Sequence, residues 1–319
     1  MLVADELRAL PKAEVHVHLE GCFTAADLAA RAAVHGEPLP RPADRLFDIV
    51  DFDEFLGFLS WSCGLLRTTD DVATAAYSYA RRTARSGVVR ADVIVNPTHW
   101  HAWRHDLPGL LAALDRGFTE AEQDGLPRVG ICVSILRLQS GAEATELVEQ
   151  LTSLRHPRVV ALSIDGNEAL SGRTGARFAD AFARAGRAGL KRTVHAGESS
   201  GPEGVRDALD LLGADRIDHG VRAAEDPALV AELADRGVPL GVCPTSNLTL
   251  GIFASMADHP IDALRRAGVR VTVNTDDPGF LGIDLIDEYA RCIEAFGWSD
   301  DVVRELAAES LAVCFTDAS

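Results

Sequence analysis

Eight short runs rich in β-branched residues recur along the chain, and they restrict its fold more than any other feature. They are "EVHVHLE" (14–20), "VVRADVIVNP" (88–97), "RVGICVSIL" (128–136), "VVALSIDGNE" (159–168), "KRTVHAGE" (191–198), "RIDHGV" (216–221), "PLGVCPTSN" (239–247) and "RVTVNTDDP" (270–278). Alanine-rich stretches lie between them, and 175–189, 203–213, 223–236 and 260–267 read as helices. Several strands follow a glycine-containing helix exit, such as "RSGVV" and "RAGVRVTV". Strand and helix alternating eight times predict a parallel sheet closed into an α/β (β/α)8 TIM barrel. An open doubly wound sheet is the other arrangement. It calls for a Gly-rich phosphate loop after an early strand, and no G-x-G-x-x-G or Walker-type loop occurs. Residues 21–86 separate the first two strands and read as a helical insertion, or lid, over the barrel mouth. Residues 1–319 otherwise read as one domain, with no linker or internal repeat.

Composition narrows the function. Hydrophobic residues make up 47% of 319, enough for a large core. A formal charge of −17 argues against nucleic-acid phosphates or an anionic membrane as the main partner and leaves small molecules. Cys22, Cys63, Cys132, Cys243, Cys292 and Cys314 form no C-x-x-C pair, which fits reduced thiols in a cytoplasmic protein. The opening "MLVADELRALPKAE" has no apolar core of a signal peptide, and no stretch approaches a membrane span. Cytoplasmic localisation is the expectation. The sequence carries no signal for oligomeric state.

The chemistry-bearing residues gather at the predicted strand ends. His16 and His18 are two apart on the first strand, so both point to one face, here the barrel interior. His195 and then Glu198 end the fifth strand, Asp218 and His219 the sixth, Asp276 and Asp277 the eighth. Side chains at the C-terminal strand ends of such a barrel converge on one mouth. Three imidazoles and a carboxylate suit a divalent transition metal, zinc first. Taken singly these patterns are bland: an H-x-H is often accidental, and "TDDP" is usually a turn or helix cap. Their joint placement on successive strands is what points to a reaction centre.

The segments "PKAEVHVHLEG", "SIDGNEA", "TVHAGE", "IDHGV", "CPTSN" and "NTDDP" resemble, in order, the motifs of the adenosine/adenine deaminase family of the amidohydrolase superfamily. The resemblance runs from residue 11 to about 290. It implies a zinc-dependent hydrolytic deaminase holding one Zn²⁺ per chain through His16, His18, His195 and Asp276. It implies that Glu198 protonates purine N1 and that His219 orients the attacking hydroxide. Asp277 would hydrogen-bond ring N7, and the Gly166 N–H would meet ring N3. The substrate would be an aminopurine base or nucleoside, with ammonia released. A cytidine-type deaminase needs H-x-E with P-C-x-x-C. "HLE" at 18–20 supplies only the first half.

Two departures bear on substrate. Glu20 stands where nucleoside-preferring members of the family commonly carry aspartate, which tilts the reading toward adenine or a modified purine. "NPTHWHAWRHD" at 96–106 reads either as a specificity loop, with Trp100 and Trp103 against the substrate, or as solvent-side packing. A second metal among His99, His101 and His105 is a lesser alternative. "DFDEFLGFLSWSC" (51–63) resembles the family's lid, with Phe55, Phe58 and Trp61 as pocket lining or lid core. Two rival functions remain: a deaminase of another amino-heterocycle, and a catalytically idle metal-binding regulatory homologue. The second must explain an intact metal set beside Glu198.

Overall fold

The computed structural model describes residues 2–49 and 52–317, apart from the side chains of Phe52, Asp53, Phe55 and Leu56. The expected contribution of Phe55 therefore lies outside the described side chains. Eight parallel strands follow one another around the sheet in chain order: β1 Lys12–His18, β2 Val88–Val95, β3 Arg128–Leu136, β4 Val159–Asp165, β5 Lys191–Ala196, β6 Arg216–His219, β7 Leu240–Val242 and β8 Val271–Val273. Helices alternate with them, and the fold is the expected (β/α)8 barrel. The helices foreseen at 175–189 and 203–213 run Gly175–Arg187 and Pro202–Asp210.

The last strands are shorter than their sequence runs. β7 stops at Val242, because Pro244 opens a short helix, Pro244–Thr249. β8 stops at Val273, so Asp276 and Asp277 lie beyond it on the connecting segment. Closure between β8 and β1 rests on that segment. Asp276 N donates to His16 O at 3.3 Å and His18 N donates to Asp276 O at 2.8 Å. Asn274 Oδ1 also accepts from the consecutive amides of Val15 and His16.

Those paired amides mark a bulge. Pairing of β1 with β2 slips between Glu14 and Val17. Glu14 accepts from Tyr79, Thr83 and Thr275 hydroxyls, while His16 and His18 both meet His195. The 21–86 stretch divides in two. Its last helix, Thr69–Ala84, packs on Leu107–Gln123 as an outer-ring barrel helix, so closely that a β-carbon on Gly117 would sit 2.1 Å from Ala73 O. The earlier part carries Ala25–His35 and Phe52–Gly64. Among the described residues no helix is long and apolar enough to cross a membrane, and the six cysteines are free thiols.

Candidate active site

The four expected ligands converge. His16 Nε2 and His18 Nε2 lie 3.1 and 3.0 Å from His195 Nε2. Asp276 Oδ1 lies 3.3 Å from His16 Nε2 and 3.4 Å from His18 Nε2. Atoms at these separations surround a point about 2 Å from each, the usual zinc-to-nitrogen distance. Burial opposes charge on His16, yet the Asp218 and Asp276 carboxylates raise its pKa to about 9. A site that draws a proton this strongly is electrostatically suited to a cation. A second, overlapping set of His16, His219, Cys243 and Asp276 also comes together. In that set the Cys243 thiol faces His16 Nδ1 at 3.3 Å, the nitrogen already bonded to Gly241 O, so the histidine-rich set built on Nε2 atoms fits better. Among the described residues no such group forms from His99, His101 and His105. His101 instead pairs with Ser60 at 2.8 Å.

Groups behind the ligands fix their orientation. His16 Nδ1 donates to Gly241 O at 2.7 Å, which turns Nε2 toward the cluster as the atom a metal would take in place of a proton. Ser246 Oγ donates to Asp276 Oδ2 at 2.6 Å and leaves Oδ1 for the histidines. His219 and Asp276 both take positive φ, at 64° each, a region that non-glycine residues seldom occupy. The end of β6 and the segment after β8 hold that strain and bring both side chains inward.

The tautomer of His219 follows from a chain of hydrogen bonds. The backbone N–H of Ile261 can only donate, and it points at His259 Nδ1 at 3.3 Å. His259 Nε2 therefore carries the proton and donates to Asn247 Oδ1 at 3.1 Å. Asn247 Nδ2 then donates to His219 Nδ1 at 3.2 Å. Burial holds His259 at about 4 and His219 well below its ordinary value, so both rings are neutral. His219 thus presents an N–H at Nε2, 3.4 Å from Glu198 Oε1 and 3.8 Å from Asp276 Oδ2.

Glu198 keeps 15% side-chain exposure at the cluster. Burial, then the neighbouring Asp276 and Glu168 carboxylates, raise its pKa to about 8, and it carries a proton at neutral pH. Its loop is held by Glu168, whose role the sequence reading missed although it ends the "SIDGNE" run. The Glu168 carboxylate accepts from the amides of Gly197, Glu198, Ser199 and Ser200 and from the Ser200 hydroxyl. Arg137 Nη2 donates to His195 O from the same side.

The remaining expected residues are placed as follows. Gly166 follows β4 with φ 100°, open to glycine only at low cost. The Asp277 carboxyl lies against Gly21, where a β-carbon would sit 1.9 Å from Oδ1. Burial, Asp276 and Glu20 push Asp277 up. Glu20 Oε1 accepts from Asn96 N at 2.7 Å and from Trp100 Nε1 at 2.6 Å, while buried Oε2 has no protein partner. Burial raises Glu20 to about 8. Trp103 is placed elsewhere: its Nε1 donates to Leu66 O and ties the 96–106 loop to the insertion. Phe58 packs edge-on against Phe47 and Phe280, with Trp61 beside it, so the lid helix rests on the segment just past Asp277.

A barrel with this strand-end cluster has the form of a metal-dependent hydrolase of the amidohydrolase type. The family model described as "Adenosine deaminase" matches residues 11–319, and the chain belongs to that family. An adenine deaminase of Bordetella parapertussis is 38% identical over 315 residues, covering 96% of this chain and 97% of its own length. An adenine deaminase of Sinorhizobium fredii is 36% identical over 97% of this chain and 95% of its own. Among solved structures, the adenine deaminase from Arthrobacter aurescens superposes with TM-score 0.90 at 30% identity, over 97% of this chain and 95% of that one. An amidohydrolase from Burkholderia ambifaria with bound Zn gives TM-score 0.89 at 27% identity, over 99% and 90%.

Proposed function

We propose that the protein hydrolyses the amino group from C6 of a free aminopurine, adenine first, and releases ammonia. The observation that carries this is the meeting of Glu198, His219 and four convergent ligand atoms at one barrel mouth. His16, His18, His195 and Asp276 would hold one Zn²⁺. Such an ion, when bound, lowers the pKa of a water toward neutrality. The bound-Zn relative supports the choice of metal.

The side chains supply the rest. Purine C6 resists attack until the ring accepts a proton or a strong hydrogen bond. Glu198 gives its proton to ring N1 and so makes C6 electrophilic. His219 donates from Nε2 to the oxygen that attacks C6 and steadies its charge. Asp277 hydrogen-bonds N7, and the Gly166 N–H meets N3. Rigid turns hold these groups in place before the substrate arrives, which removes the cost of assembling them.

Glu20 supports a base over a nucleoside. A free purine keeps a ring N–H where a nucleoside carries its sugar. The unpartnered Glu20 Oε2 is free to pair at that edge, accepting from a ring N–H when ionised and donating to a ring nitrogen when protonated, and Trp100 and Asn96 hold the carboxyl ready for it. The adenine deaminases among its relatives agree. The test is ammonia release from adenine, adenosine, N6-substituted adenines and other amino-heterocycles with zinc-loaded protein. Adenine is expected to give the highest kcat/KM. A better non-purine would establish the amino-heterocycle alternative, and no turnover with metal bound would establish the idle homologue.

A further inference from the structure

One polar chain inside the barrel belongs to no step above. It starts at His195. If Nε2 of this ring faces a metal, Nδ1 must carry the proton and needs an acceptor. The corresponding atom of His16 has Gly241 O. His195 Nδ1 is buried without a hydrogen bond, and the facing group is Asp218 Oδ2, 3.5 Å away. Asp218 Oδ1 is also buried and unbonded, and so is Arg216 Nε, 3.5 Å from it. Three orphaned polar atoms therefore lie in a row, each opposite its chemical complement. Buried orphans of this kind are rare because each costs the full desolvation of its group. Thr193 Oγ1 pins Asp218 Oδ2 from the side at 2.7 Å.

The row continues across the barrel floor. Arg216 has no exposed surface, and its Nη1 donates to Asp92 Oδ2 at 2.7 Å. Asp92 in turn is held by the end of the chain. It accepts from Phe315 N at 2.8 Å, Thr316 N at 3.0 Å and Thr316 Oγ1 at 2.7 Å. The Arg216 guanidinium lies 4.1 Å over the Phe315 ring, and Val313 O accepts from Nη1 at 3.4 Å. Two carboxylates, one guanidinium and one imidazole thus alternate from the C-terminal segment to the ligand cluster. Arg216 has to serve both carboxylates, and what Asp92 takes from the tail bears on how Arg216 sits against Asp218.

We propose that Asp218 is the positioning residue for His195, and that the C-terminal segment 313–316 positions it in turn through Asp92 and Arg216, so that a contact at the barrel floor sets metal retention at the mouth. The proposal rests on the reading of His16, His18, His195 and Asp276 as metal ligands. Asp218 touches neither substrate nor metal. Its part is to accept from His195 Nδ1, which fixes the ring plane and strengthens Nε2 as a ligand.

The experiment measures Zn²⁺ release to a chelator, and the melting temperature of the metal-free protein, for the wild type, Asp218→Asn, Thr316→Val and the double variant. Wild-type protein that binds no Zn²⁺ would refute the ligand reading itself. Given wild-type binding, Asp218→Asn is expected to weaken Zn²⁺ affinity by about 10–100-fold, the usual cost of losing such a partner. Thr316→Val removes one donor to Asp92 and is expected to speed release, by less than Asp218→Asn does. The decisive quantity is the coupling. The Thr316→Val effect on release should shrink in the Asp218→Asn background, whereas its effect on the metal-free melting temperature should persist. Release that is unchanged in Asp218→Asn, or two effects that simply add, would overturn the proposal. Should Asp218→Asn not fold, Thr316→Val alone decides: unchanged Zn²⁺ release with a lowered metal-free melting temperature would reduce the tail to a structural plug.

Discussion

His195 and Trp100 are both buried near the same barrel mouth, but different kinds of structure hold them. His195 stands on β5, with its neighbours paired to β6 in register. The other ligands come from β1 and from the segment that bridges back to β1. Trp100 stands in a loop before a single 3-10 turn, and its side chain is held by one hydrogen bond to Glu20 and by apolar packing. The ligand cluster is a property of the sheet. The rim is a property of loops laid on it. Chemistry common to all 6-aminopurines belongs on the first, and choice among purines belongs on the second, where change does not disturb the barrel.

Breaking the sheet-borne cluster should have the largest effect. His195→Ala is expected to drop bound Zn²⁺ from about one per chain toward zero, and turnover with it. Elemental analysis alongside ammonia release checks this, and full activity in a metal-free variant would end the metal reading. Glu198→Gln comes next. Metal content should stay, while kcat falls by about 10²–10⁴-fold, the usual worth of a positioned acid. The proposed role of Glu198 as proton donor requires its protonated form, so turnover should decline as pH rises through its pKa. That pKa is about 8 in the metal-free chain, and a bound cation would lower it. The alkaline limb should therefore lie at or below about pH 8 and vanish from the residual activity of Glu198→Gln. A limb that survives the substitution assigns the proton elsewhere.

The rim should respond in ratio more than in rate. Glu20→Ala is expected to change the adenine-to-adenosine ratio of kcat/KM by about 5–100-fold, because a buried polar partner left unpaired costs about 1–3 kcal/mol. Metal content should not move. The two tryptophans sharpen the division further. Trp100→Phe removes the donor to Glu20 and should shift the same ratio in the same direction, by less. Trp103→Phe removes only the tie to Leu66 O and should lower stability by about 0.5–1.5 kcal/mol with the ratio unchanged. Denaturant melts and the two-substrate comparison together decide the pair. Equal ratio effects from both would mean the whole loop acts as one specificity element.

The barrel was legible because its signal is periodic. β-branched runs alternate with alanine-rich helices, and helix exits carry glycine, so strand number and order followed from local propensities. The convergence of the candidate ligands was legible because metal chemistry demands particular residue types and a barrel brings its strand ends together. Boundaries were less so. β7 and β8 are three residues each, and the site residues beyond them are placed by Pro244, Asn274 and a bridge to β1. The 21–86 stretch read as one insertion, although its last helix packs in the outer ring. Burial against a distant helix, and not local periodicity, makes that distinction.

Residue type and spacing alone determined which groups meet at the mouth: His16, His18, His195, Glu198, His219 and Asp276 were named from motifs within single strands. Only the tertiary structure decided their protonation and support. The neutral His219 depends on Ile261 and His259, forty or more residues away in the chain, passing a donor–acceptor order through Asn247. The poise of Glu198 depends on burial and on Glu168, thirty residues upstream. Trp100 and Trp103 look alike in sequence and differ in what they touch. A side chain's chemistry is written in its type, but its pKa, tautomer and partner come from neighbours that folding brings within a few ångströms. Those neighbours are set by the closure of the barrel and not by the local run.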